Sequence, residues 1–364
     1  MSKNDVVLLV AGGTGGHVFP AIALSHELKK RGYTVCLATD SRAKHFSQKN
    51  FAGTIYEISS SKINLSNFAN FFCSMAISWK GLIGSFFLII KLKPKVIIGF
   101  GGYPTVFPLL IAIILRIPSI IHEQNVIMGR ANRLLSLGVK VIAGGLFSKK
   151  KGFLSHKIIE TGNPIRSSLM KMANIPYKSS GPNEPFRLLV FGGSQGAKIF
   201  SEVIPRSIAL IPAKQRERLI ITQQVREEEQ EEVKKQYDHL GLTVHIASFF
   251  YDIDEHVAKA NLLICRSGAL TISEIAVMGR PAILIPYPYS VNNDQLLNAQ
   301  FLQEGGGAEV ITQDFLSPEK LAKSISYAMN HPDYLARMAN NVSKKGKTDS
   351  VLLLSNIVDQ ILLK

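Results

Sequence analysis

Two glycine-rich segments, each directly after a short apolar run, are the parts of this 364-residue chain best suited to hold a ligand. The first is VVLLVAGGTGGH around Gly13, and the second is RLLVFGGSQGAK around Gly193, 180 positions later. Where glycines lead from a strand into a helix, free backbone N–H groups and the positive end of the helix dipole favour an anion such as phosphate. Neither segment is a P-loop, and Val18 replaces the third glycine of a dinucleotide fingerprint, which weakens the case for an oxidoreductase.

His17 is the residue of the first loop that could transfer a proton. Its expected place at a helix N-terminus disfavours the imidazolium cation, so a neutral ring able to accept a proton is predicted there. Spacing alone fits a capping or packing histidine equally well. Asp252 and Asp254 form a D-x-D pattern that can hold a metal-bound nucleotide, but they precede a helical stretch, so helix capping is the favoured interpretation. No metal site is predicted, because no other cluster has metal-ligand spacing.

The composition indicates a folded chain. Hydrophobic residues make up 46% and charged residues 19%, which excludes an intrinsically disordered protein. The length suggests two domains, at roughly 100–200 residues per domain. Cys36, Cys73 and Cys265 form no C-x-x-C pair, so neither a zinc site nor a disulfide framework is predicted, and a reducing compartment fits best. No secretory signal is expected, because the apolar run Val6–Ala11 is too short for one.

Positive charge is concentrated in the first half of the chain. The whole chain has a formal net charge of +15, and residues 1–163 alone carry 20 Lys+Arg against 6 Asp+Glu. We therefore expect the first half to face something anionic: nucleic acid, a membrane surface or phosphate groups. Binding of RNA would favour aromatic residues interleaved with basic ones. The aromatic residues here cluster in an apolar stretch instead, which suits a membrane better.

That apolar stretch covers residues 71–90 (FFCSMAISWKGLIGSFFLII) and holds one charged residue, Lys80. It is long enough to span a bilayer, but a charge at the bilayer centre costs at least ~2.5 kcal/mol. Apolar residues recur at helical spacing in and just before it, at Phe68, Phe72, Met75, Trp79, Leu82 and Phe86. We therefore predict one or two helices that pack on a core and dip part of their surface into a membrane interface.

Short apolar runs alternate with helical patterns along the whole chain. The first strand is expected at Val6–Ala11, and the helix after it at about Phe19–Arg31, with Pro20 in its first turn and Gly32 as its stop. Further strands are predicted at Tyr33–Thr39, Val96–Phe100, Ser119–His122, Val139–Ala143, Phe186–Phe191, Leu219–Thr222, Thr243–Ala247, Leu262–Cys265 and Ala282–Pro286. The alternation favours an α/β fold with parallel sheets covered on both faces. The repeated glycine loop predicts two similar α/β domains, with a boundary near the Pro-, Gly- and Ser-rich residues 174–185.

Seven separated segments carry a resemblance to a known family. In chain order they are AGGTGGHVFPA (Ala11–Ala21), GFGGYP (Gly99–Pro104), HEQN (His122–Asn125), GNPIR (Gly162–Arg166), FGGSQGA (Phe191–Ala197), CRSGALTISE (Cys265–Glu274) and NDQLLNA (Asn293–Ala299). Together they resemble the MurG family of peptidoglycan N-acetylglucosaminyltransferases. The resemblance implies a GT-B fold, with two Rossmann-like domains facing each other across a cleft. It places an acceptor- and membrane-facing domain at 1–163 and a UDP-sugar domain at 164–344, with a C-terminal helix at about 345–364 packing back on the first domain.

The resemblance also implies a reaction and its partners. The donor is UDP-N-acetylglucosamine, and the acceptor is the 4-hydroxyl of the muramoyl sugar of lipid I, which becomes lipid II with inversion at the anomeric carbon. The enzyme works as a peripheral protein on the cytoplasmic face of the bacterial plasma membrane. It needs no metal and no cofactor, since UDP-N-acetylglucosamine is a substrate. An anionic membrane surface and other cell-wall synthesis proteins are expected partners, and nucleic acid is not.

Site residues follow from the resemblance position by position. The uracil would be read by the backbone of Phe250, and the ribose hydroxyls by Glu274. The diphosphate would be held by Ser194, Arg166 and the backbone around Leu270 and Thr271, within a donor-binding turn that includes Ile272 and Ser273. The sugar would be contacted by Asn125, Ala269, Gln295 and Asn298, and the transferred sugar and acceptor would be faced by Thr14, Gly15, Gly16 and His17. His17 is the candidate base, and Glu123 is its competitor, unless Glu123 only orients the adjacent loop. Membrane contact is assigned to Phe72, Met75, Trp79, Lys80 and Leu82.

The sequence departs from the family pattern at one site segment. Where the family has D-H-Q-T, this chain reads Asn293-Asp294-Gln295-Leu296, so Gln295 is retained but its neighbours differ. The departure bears on details of the sugar contacts, not on the class of enzyme.

Two alternatives stay open at this point. One is another GT-B enzyme, a lipid glycosyltransferase or a UDP-sugar 2-epimerase. The other is a non-catalytic nucleotide- or anion-binding protein.

Overall fold

The chain folds as two compact units, each built on one parallel sheet. The structure is a computed structural model that describes residues 5–41, 50–58, 68–147, 152–193 and 196–363, without the side chains of 68–78. The first unit comprises Met1–Arg166 and Lys347–Lys364, and the second comprises Ser167–Gly346.

The first unit contains a seven-stranded parallel sheet in the order β3-β2-β1-β4-β5-β6-β7. Its strands are β1 Val6–Val10, β2 Thr34–Thr39, β3 Thr54–Glu57, β4 Val96–Gly99, β5 Ser119–Glu123, β6 Val141–Gly144 and β7 Ile158–Glu160. Side chains alternate between the two faces of each strand, so the sheet supports two apolar cores. Val7 and Leu9 enter the core under the first and last helices, and Leu8 and Val10 enter the core on the opposite face.

The second unit contains a six-stranded parallel sheet in the order β10-β9-β8-β11-β12-β13. Its strands are β8 Phe186–Phe191, β9 Leu219–Gln224, β10 Val244–Ala247, β11 Leu262–Cys265, β12 Ala282–Leu284 and β13 Ala308–Val310. The first strand of each unit, β1 or β8, lies inside its sheet beside the strand that follows it in the chain. The order therefore reverses at β1–β4 and at β8–β11, the crevice position where open α/β sheets bind ligands.

Helices connect the strands in both units. Those of the first unit are α1 Gly15–Lys30, α2 Phe68–Leu92, α3 Val106–Ile114, α4 Arg130–Leu135 and the final helix α14 Ser350–Leu362. Those of the second unit are α5 Ser167–Met172, α6 Lys198–Ala209, α7 Ala213–Arg216, α8 Gln230–His239, α9 Ile253–Lys259, α10 Ala269–Met278, α11 Asp294–Gln303, α12 Pro318–Asn330 and α13 Pro332–Ser343. The predicted α/β class with parallel sheets is confirmed.

Three edge strands were absent from the sequence prediction. β3 and β7 close the two edges of the first sheet, and β13 closes one edge of the second. β3 and β7 contain no fully buried residue. A strand at an edge buries less surface than a central strand, so its sequence lacks the continuous apolar run that marks the centre of a parallel sheet.

The helix after the first loop begins earlier than predicted. It starts at Gly15, not near Phe19, so Pro20 lies inside α1 rather than in its first turn. The glycines already have helical geometry, and the backbone N–H groups of His17 and Val18 donate to Thr14 O at 3.2 and 3.3 Å. The early start places His17 itself in the first turn of α1. The predicted stop agrees with the structure, since α1 ends at Lys30 and Gly32 has a φ of 92°.

The long apolar stretch forms a single helix, α2. Ile89 of α2 is buried in one core of the first unit, and Leu82 is half-buried against the same core. Among the described residues, we find no helix with the length and apolar character needed to cross a membrane.

The last helix, α14, packs on α1 within the first unit. Leu354, Ile357 and Val358 of α14 lie in the same core as α1. A polar link at the edge of this contact joins the two helices, because Asp359 accepts hydrogen bonds from Arg31 Nη1 and from Tyr33 Oη, both at 2.5 Å. The preceding helices, α12 and α13, belong to the second unit.

Candidate active site

Four sequence motifs of the first unit meet where its strands β1, β4, β5 and β7 end. Because carboxyl ends of parallel strands lie on one edge of a sheet, motifs far apart in sequence are brought together there. Gln124 links two of them, since its Nε2 donates to Phe100 O at 2.7 Å. His122 Nε2 lies 3.0 Å from Gly162 O, and Asn163 Nδ2 donates to Gln124 O at 3.1 Å. These bonds join the HEQN and GNPIR motifs, which are separated by 40 residues.

His17 lies at this edge as a half-buried ring. Burial lowers its pKa, while a hydrogen bond to the Gln124 side chain, a hydrogen bond with the Phe100 backbone and the charge of Asp40 oppose that shift. Nδ1 is buried and has no hydrogen-bond partner among the described residues. A side chain at position 101 would press on the ring, so Gly101, with a φ of 94°, is required for this approach. The result is a neutral imidazole at physiological pH with an unused nitrogen.

The first glycine loop is held by a carboxylate that the sequence analysis did not identify. Gly13 has a φ of 87°, and its N–H donates to Asp40 Oδ1 at 3.2 Å. Asp40 directly follows β2, the strand beside β1, and it is buried. A usable signal was present in the sequence, because an acidic residue after the second strand is part of the dinucleotide-binding pattern. Here the residue at that position, Asp40, fixes the loop through its hydrogen bond with Gly13.

A second histidine, His122, lies fully inside the first unit. Burial lowers its pKa to about 4 and outweighs the opposing effect of its hydrogen bond with Gly162 O. Its ring centroid lies 5.5 Å from that of Phe100. A ring this deep is unavailable to a substrate, so His122 contributes to the fold of the edge and remains neutral near pH 7.

Glu123, the competing base, has both carboxylate oxygens occupied. Oε1 accepts from the backbone N–H and Nδ2 of Asn125 at 3.1 and 3.2 Å. Oε2 accepts from Gly129 N–H and from Asn132 Nδ2, both at 2.9 Å. Burial raises the pKa of Glu123, and these four donors oppose the shift. The arrangement matches the orienting role considered for Glu123, because its acceptor positions face the 125–132 segment.

Three further predicted residues of the first unit lie at the start of α1, and a fourth, Arg166, contacts this helix. Thr14 is the N-cap residue and is exposed, but its side chain makes no cap bond. Gly15 and Gly16 form the first turn, and the ring of Phe19 packs against Gly15. The guanidinium carbon of Arg166 lies 5.3 Å from the centroid of the Phe19 ring. Arg166 is therefore held close to the first helix.

In the second unit, the second glycine loop follows β8 in the same way. Gly193 has a φ of 88°, and Gly192 N–H donates to Gln224 Oε1 at 2.9 Å. Gln224 ends β9, the strand beside β8, and is buried. Ser194, assigned to the diphosphate, lies outside the described residues.

The N-terminus of α10 carries most of the predicted donor-binding residues. Gly268 is its N-cap, and the N–H groups of the first turn point out of the helix, a ready site for an anion. Ala269 is buried, and Leu270, Thr271 and Glu274 are half-buried. The side chains of Ile272 and Ser273 are buried, and Ser273 Oγ donates to Ala269 O at 3.0 Å. Those two side chains serve the helix rather than a ligand.

Gln295 and Asn298 are linked to the turn before α10 through Ser267. Ser267 Oγ donates to Gln295 O at 2.7 Å, and Asn298 Nδ2 donates to Ser267 O at 3.2 Å. Gln295 Oε1 accepts from Tyr287 N–H at 2.9 Å. The side chain of Asn298 is fully buried. These contacts position the turn, and the half-buried Gln295 is the more accessible of the two.

Arg266, the residue directly after β11, is a buried cation that was not among the predicted site residues. Its Nη1 donates to the carbonyls of Ile285 and Pro286, both at 3.0 Å, and its Nη2 to Gln313 Oε1 at 2.8 Å. The guanidinium carbon lies 5.4 Å from the ring centroid of Tyr287. None of these partners is a carboxylate. Arg266 is therefore a buried positive charge at the carboxyl end of β11, two residues before the N-cap Gly268 of α10 in the chain.

Phe250 lies in the loop after β10 and is 6% exposed. Its ring centroid is 5.2 Å from that of His245 and 5.1 Å from that of His256.

The D-x-D pattern lies directly after this loop. Asp252 is the N-cap residue of α9, but its side chain accepts no cap bond and lies 3.3 Å from His256 Nε2 instead. Asp252 therefore occupies the predicted N-cap position, but its side chain forms no cap hydrogen bond.

The first unit also has an exposed apolar face on α2, which we call the α2 face. It consists of Trp79, Ile83, Phe86, Phe87 and Ile90, which recur at helical spacing and are exposed. Lys80, Lys91 and Lys93 are exposed beside it. Of the residues assigned to membrane contact, Trp79 and Lys80 are on the surface and Leu82 is half-buried, whereas the side chains of Phe72 and Met75 lie outside the description. Ile83, Phe86, Phe87 and Ile90 were not among the residues predicted for membrane contact.

Comparison with known proteins agrees with this architecture. Residues 7–143 match the glycosyltransferase family 28 N-terminal domain, and residues 187–353 match the glycosyltransferase family 28 C-terminal domain. A protein of Rhizobium meliloti (strain 1021) is 48% identical over 358 residues, covering 98% of this chain and 96% of that protein. One from Rhizobium etli (strain CIAT 652) is 49% identical over 361 residues, covering 99% and 96%. Both are named UDP-N-acetylglucosamine--N-acetylmuramyl-(pentapeptide) pyrophosphoryl-undecaprenol N-acetylglucosamine transferase.

Solved structures separate the transferase from the alternative. The crystal structure of Acinetobacter baumannii MurG has a TM-score of 0.78 and 27% identity, covering 99% of this chain and 100% of that one. A UDP-GlcNAc 2-epimerase from Neisseria meningitidis reaches a TM-score of 0.67 at 16% identity, covering 98% and 99%. At that identity the epimerase shares the fold alone, so the alternative is not favoured. By its near-full-length relatives and its GT-B fold, the chain belongs to the MurG family of glycosyltransferases.

Proposed function

We propose that the chain transfers N-acetylglucosamine from UDP-N-acetylglucosamine to lipid I, the N-acetylmuramyl-(pentapeptide) pyrophosphoryl-undecaprenol acceptor, and so forms lipid II. The observation that carries this proposal is the 48% identity over 98% of the chain to a protein named for that transfer. The reaction joins the 4-hydroxyl of the muramoyl sugar to the anomeric carbon with inversion. The acceptor hydroxyl loses a proton, and UDP leaves with the electron pair of the broken bond.

His17 is the proposed base for the acceptor hydroxyl. Burial and the first turn of α1 favour the neutral ring, which is the form that accepts a proton. Glu123 is the weaker candidate, since four donors of the 125–132 segment occupy its oxygens.

The second unit is proposed to hold the donor. The N–H groups at the start of α10 and the buried charge of Arg266 favour the diphosphate, both in the bound donor and as negative charge develops on leaving UDP. Glu274 accepts from the ribose hydroxyls, because a carboxylate can accept two hydrogen bonds at once. The backbone near Phe250 reads the uracil. In this proposal, fixed protein dipoles and charges supply the stabilisation, and no metal is needed.

Radiolabel transfer from UDP-N-acetylglucosamine to purified lipid I, with EDTA present, tests the function. We expect labelled lipid II from the wild-type chain, and the same rate with and without EDTA. Clear UDP binding without transfer, whether or not divalent metal is added, would contradict the lipid I assignment. Transfer only with added metal would contradict the proposal that protein groups alone stabilise leaving UDP.

We further propose that the α2 face contacts an anionic membrane surface from the cytoplasmic side. Burial of one phenylalanine side chain contributes about 1.5–3 kcal/mol, and nearby lysines add attraction to anionic lipid that salt weakens. Trp79 is 58% exposed and is the only tryptophan of the chain. Its fluorescence therefore reports contact of this face with lipid.

Replacing Phe87, which is 65% exposed on the α2 face, tests the membrane proposal. We expect Phe87→Ser to weaken binding to vesicles with anionic lipid by about tenfold, measured by cosedimentation. Phe315→Ser is the matched control, because Phe315 is 72% exposed but lies in the second unit. Equal losses in both variants, or no blue shift of Trp79 emission with vesicles, would contradict the assignment.

A further inference from the structure

We infer that Gln224 is a positioning residue that couples the uridine and diphosphate parts of the donor site. The inference rests on the proposed function, since it takes the second unit as the binding site of a uridine diphosphate sugar. Gln224 is not one of the residues assigned to contact the donor. Its side-chain amide connects the second glycine loop with the loop that leads to Phe250.

Three hydrogen bonds place Gln224 between the two loops. Its Oε1 accepts from Gly192 N–H at 2.9 Å, and its Nε2 donates to Gly193 O at 2.9 Å. The second Nε2 proton goes to Ser248 O at 3.0 Å. The residue is 5% exposed. One amide group thus holds the loop after β8 and the loop after β10, while its own strand, β9, lies between them.

The chemistry of the partners fixes how the amide is oriented. A backbone N–H can only donate and a backbone carbonyl can only accept, so the Gln224 oxygen must face Gly192 and its nitrogen must face both carbonyls. A carboxylate could serve Gly192 but would be repelled by the two carbonyl oxygens. An apolar side chain would leave all three backbone groups without this partner, and a buried polar group without a partner destabilises the fold.

This link matters for binding because one ligand must satisfy both loops. When two parts of a ligand are joined, binding of the second part gains from the first only if the two subsites have the correct spacing. Gln224 fixes that spacing in advance, so the protein need not order the loops when the donor arrives. Without the link, the affinity for UDP should fall by a larger factor than the affinity for uridine alone or for pyrophosphate alone.

The neighbouring residue provides a matched control. Gln223 is also a buried glutamine of β9, but strand alternation directs it to the opposite face of the sheet. Its Nε2 donates to Phe200 O at 3.2 Å, and its Oε1 accepts from Tyr237 Oη at 2.5 Å. Gln223 therefore links helices α6 and α8, away from both loops. A substitution there should lower stability without changing the loop spacing.

The experiment compares Gln224→Met with Gln223→Met in the full chain. Dissociation constants are measured by calorimetry for UDP, uridine and pyrophosphate, and melting temperatures show how far each variant is destabilised. For Gln224→Met we expect UDP to bind at least about tenfold more weakly, with uridine and pyrophosphate each changed by less than about threefold. For Gln223→Met we expect a lower melting temperature and unchanged binding of UDP. If Gln224→Met does not fold, Gln224→Asn, which keeps the amide but is too short to span both loops, is expected to show the same selective loss.

The outcomes separate this inference from the proposed function. Wild-type protein that does not bind UDP would overturn both. Wild-type protein that binds UDP, with a Gln224 variant that binds UDP equally well, would overturn the coupling role alone. Parallel losses for UDP, uridine and pyrophosphate, or an equal loss of UDP binding in Gln223→Met, would show general destabilisation and would also overturn the role of Gln224.

Discussion

The two glycine loops each contain a glycine with almost the same positive φ, but one loop is held by a carboxylate and the other by a neutral amide. Gly13 and Gly193 have φ values of 87° and 88°. In each unit, a residue at the end of the neighbouring strand accepts a hydrogen bond from the loop. In the first unit that residue is Asp40, and in the second it is Gln224.

The difference in charge indicates a difference in function. A buried carboxylate beside the first loop disfavours a second anion there, and it favours protonation of a nearby base. His17 is the group that experiences this field. The neutral amide beside the second loop adds no negative charge, so that loop and the adjoining N-terminus of α10 remain suited to a diphosphate. The loops share a fold element, but under the proposed function the first would serve proton transfer and the second anion binding.

Removing His17 should have the largest effect and would test the first half of this comparison. We expect His17→Ala to lower kcat by about 10²–10⁴-fold, the range for loss of a general base, while UDP affinity stays unchanged because the donor is assigned to the second unit. Transfer assays and calorimetry measure the two quantities. His26→Ala is the control, since His26 is exposed on the same helix and contacts Asn50 O.

A small loss of kcat in His17→Ala would contradict the role of the first loop in proton transfer. Glu123 would then be the next base to test, with Glu123→Gln. A large loss of UDP affinity in His17→Ala would contradict the assignment of the donor to the second unit, since it would place donor binding at the first loop.

Acid should destabilise the first unit through His122, whose pKa of about 4 lies below the unfolded value of 6.5. Between these values the unfolded chain binds a proton that the folded chain does not, so stability is full above pH 6.5 and falls as the pH drops toward 4. The full difference corresponds to about 3 kcal/mol. Urea unfolding from pH 7.5 to 4.5 measures it. The variant His122→Gln, which cannot titrate, should show a smaller loss of stability over that range.

The acid effect should be larger in the first unit than in the second. Hydrogen exchange should show loss of protection in β5 before β11, because β5 carries the buried His122. Simultaneous loss in both strands, or the same pH dependence in wild type and His122→Gln, would contradict this assignment.

Sequence patterns predicted the central strands and both loops well, because buried parallel strands read as continuous apolar runs and glycines mark the turns after them. The edge strands β3, β7 and β13 were missed because short, partly exposed strands lack that pattern. The residues that hold the loops were missed for another reason. Asp40 and Gln224 act through hydrogen bonds to backbone atoms of loops that follow other strands, and such contacts depend on which strands are neighbours. Strand order is a property of the whole sheet and leaves little trace at one position.

The smallest expected effect comes from removing the negative charge of Asp40, which distinguishes the first loop from the second. Asp40→Asn keeps an oxygen that can accept from Gly13 N–H, so the loop geometry should be retained. The variant removes the negative charge that raises the pKa of His17. That pKa should therefore fall, and the acid limb of the kcat/KM profile should move to lower pH, with a loss of no more than about tenfold at pH 8 because a weaker base remains in place. Proton NMR of the His17 ring during a pH titration measures the shift directly. An upward shift, or an unchanged profile with intact folding, would show that Asp40 holds the loop without tuning the base, and the electrostatic distinction between the loops would then be lost.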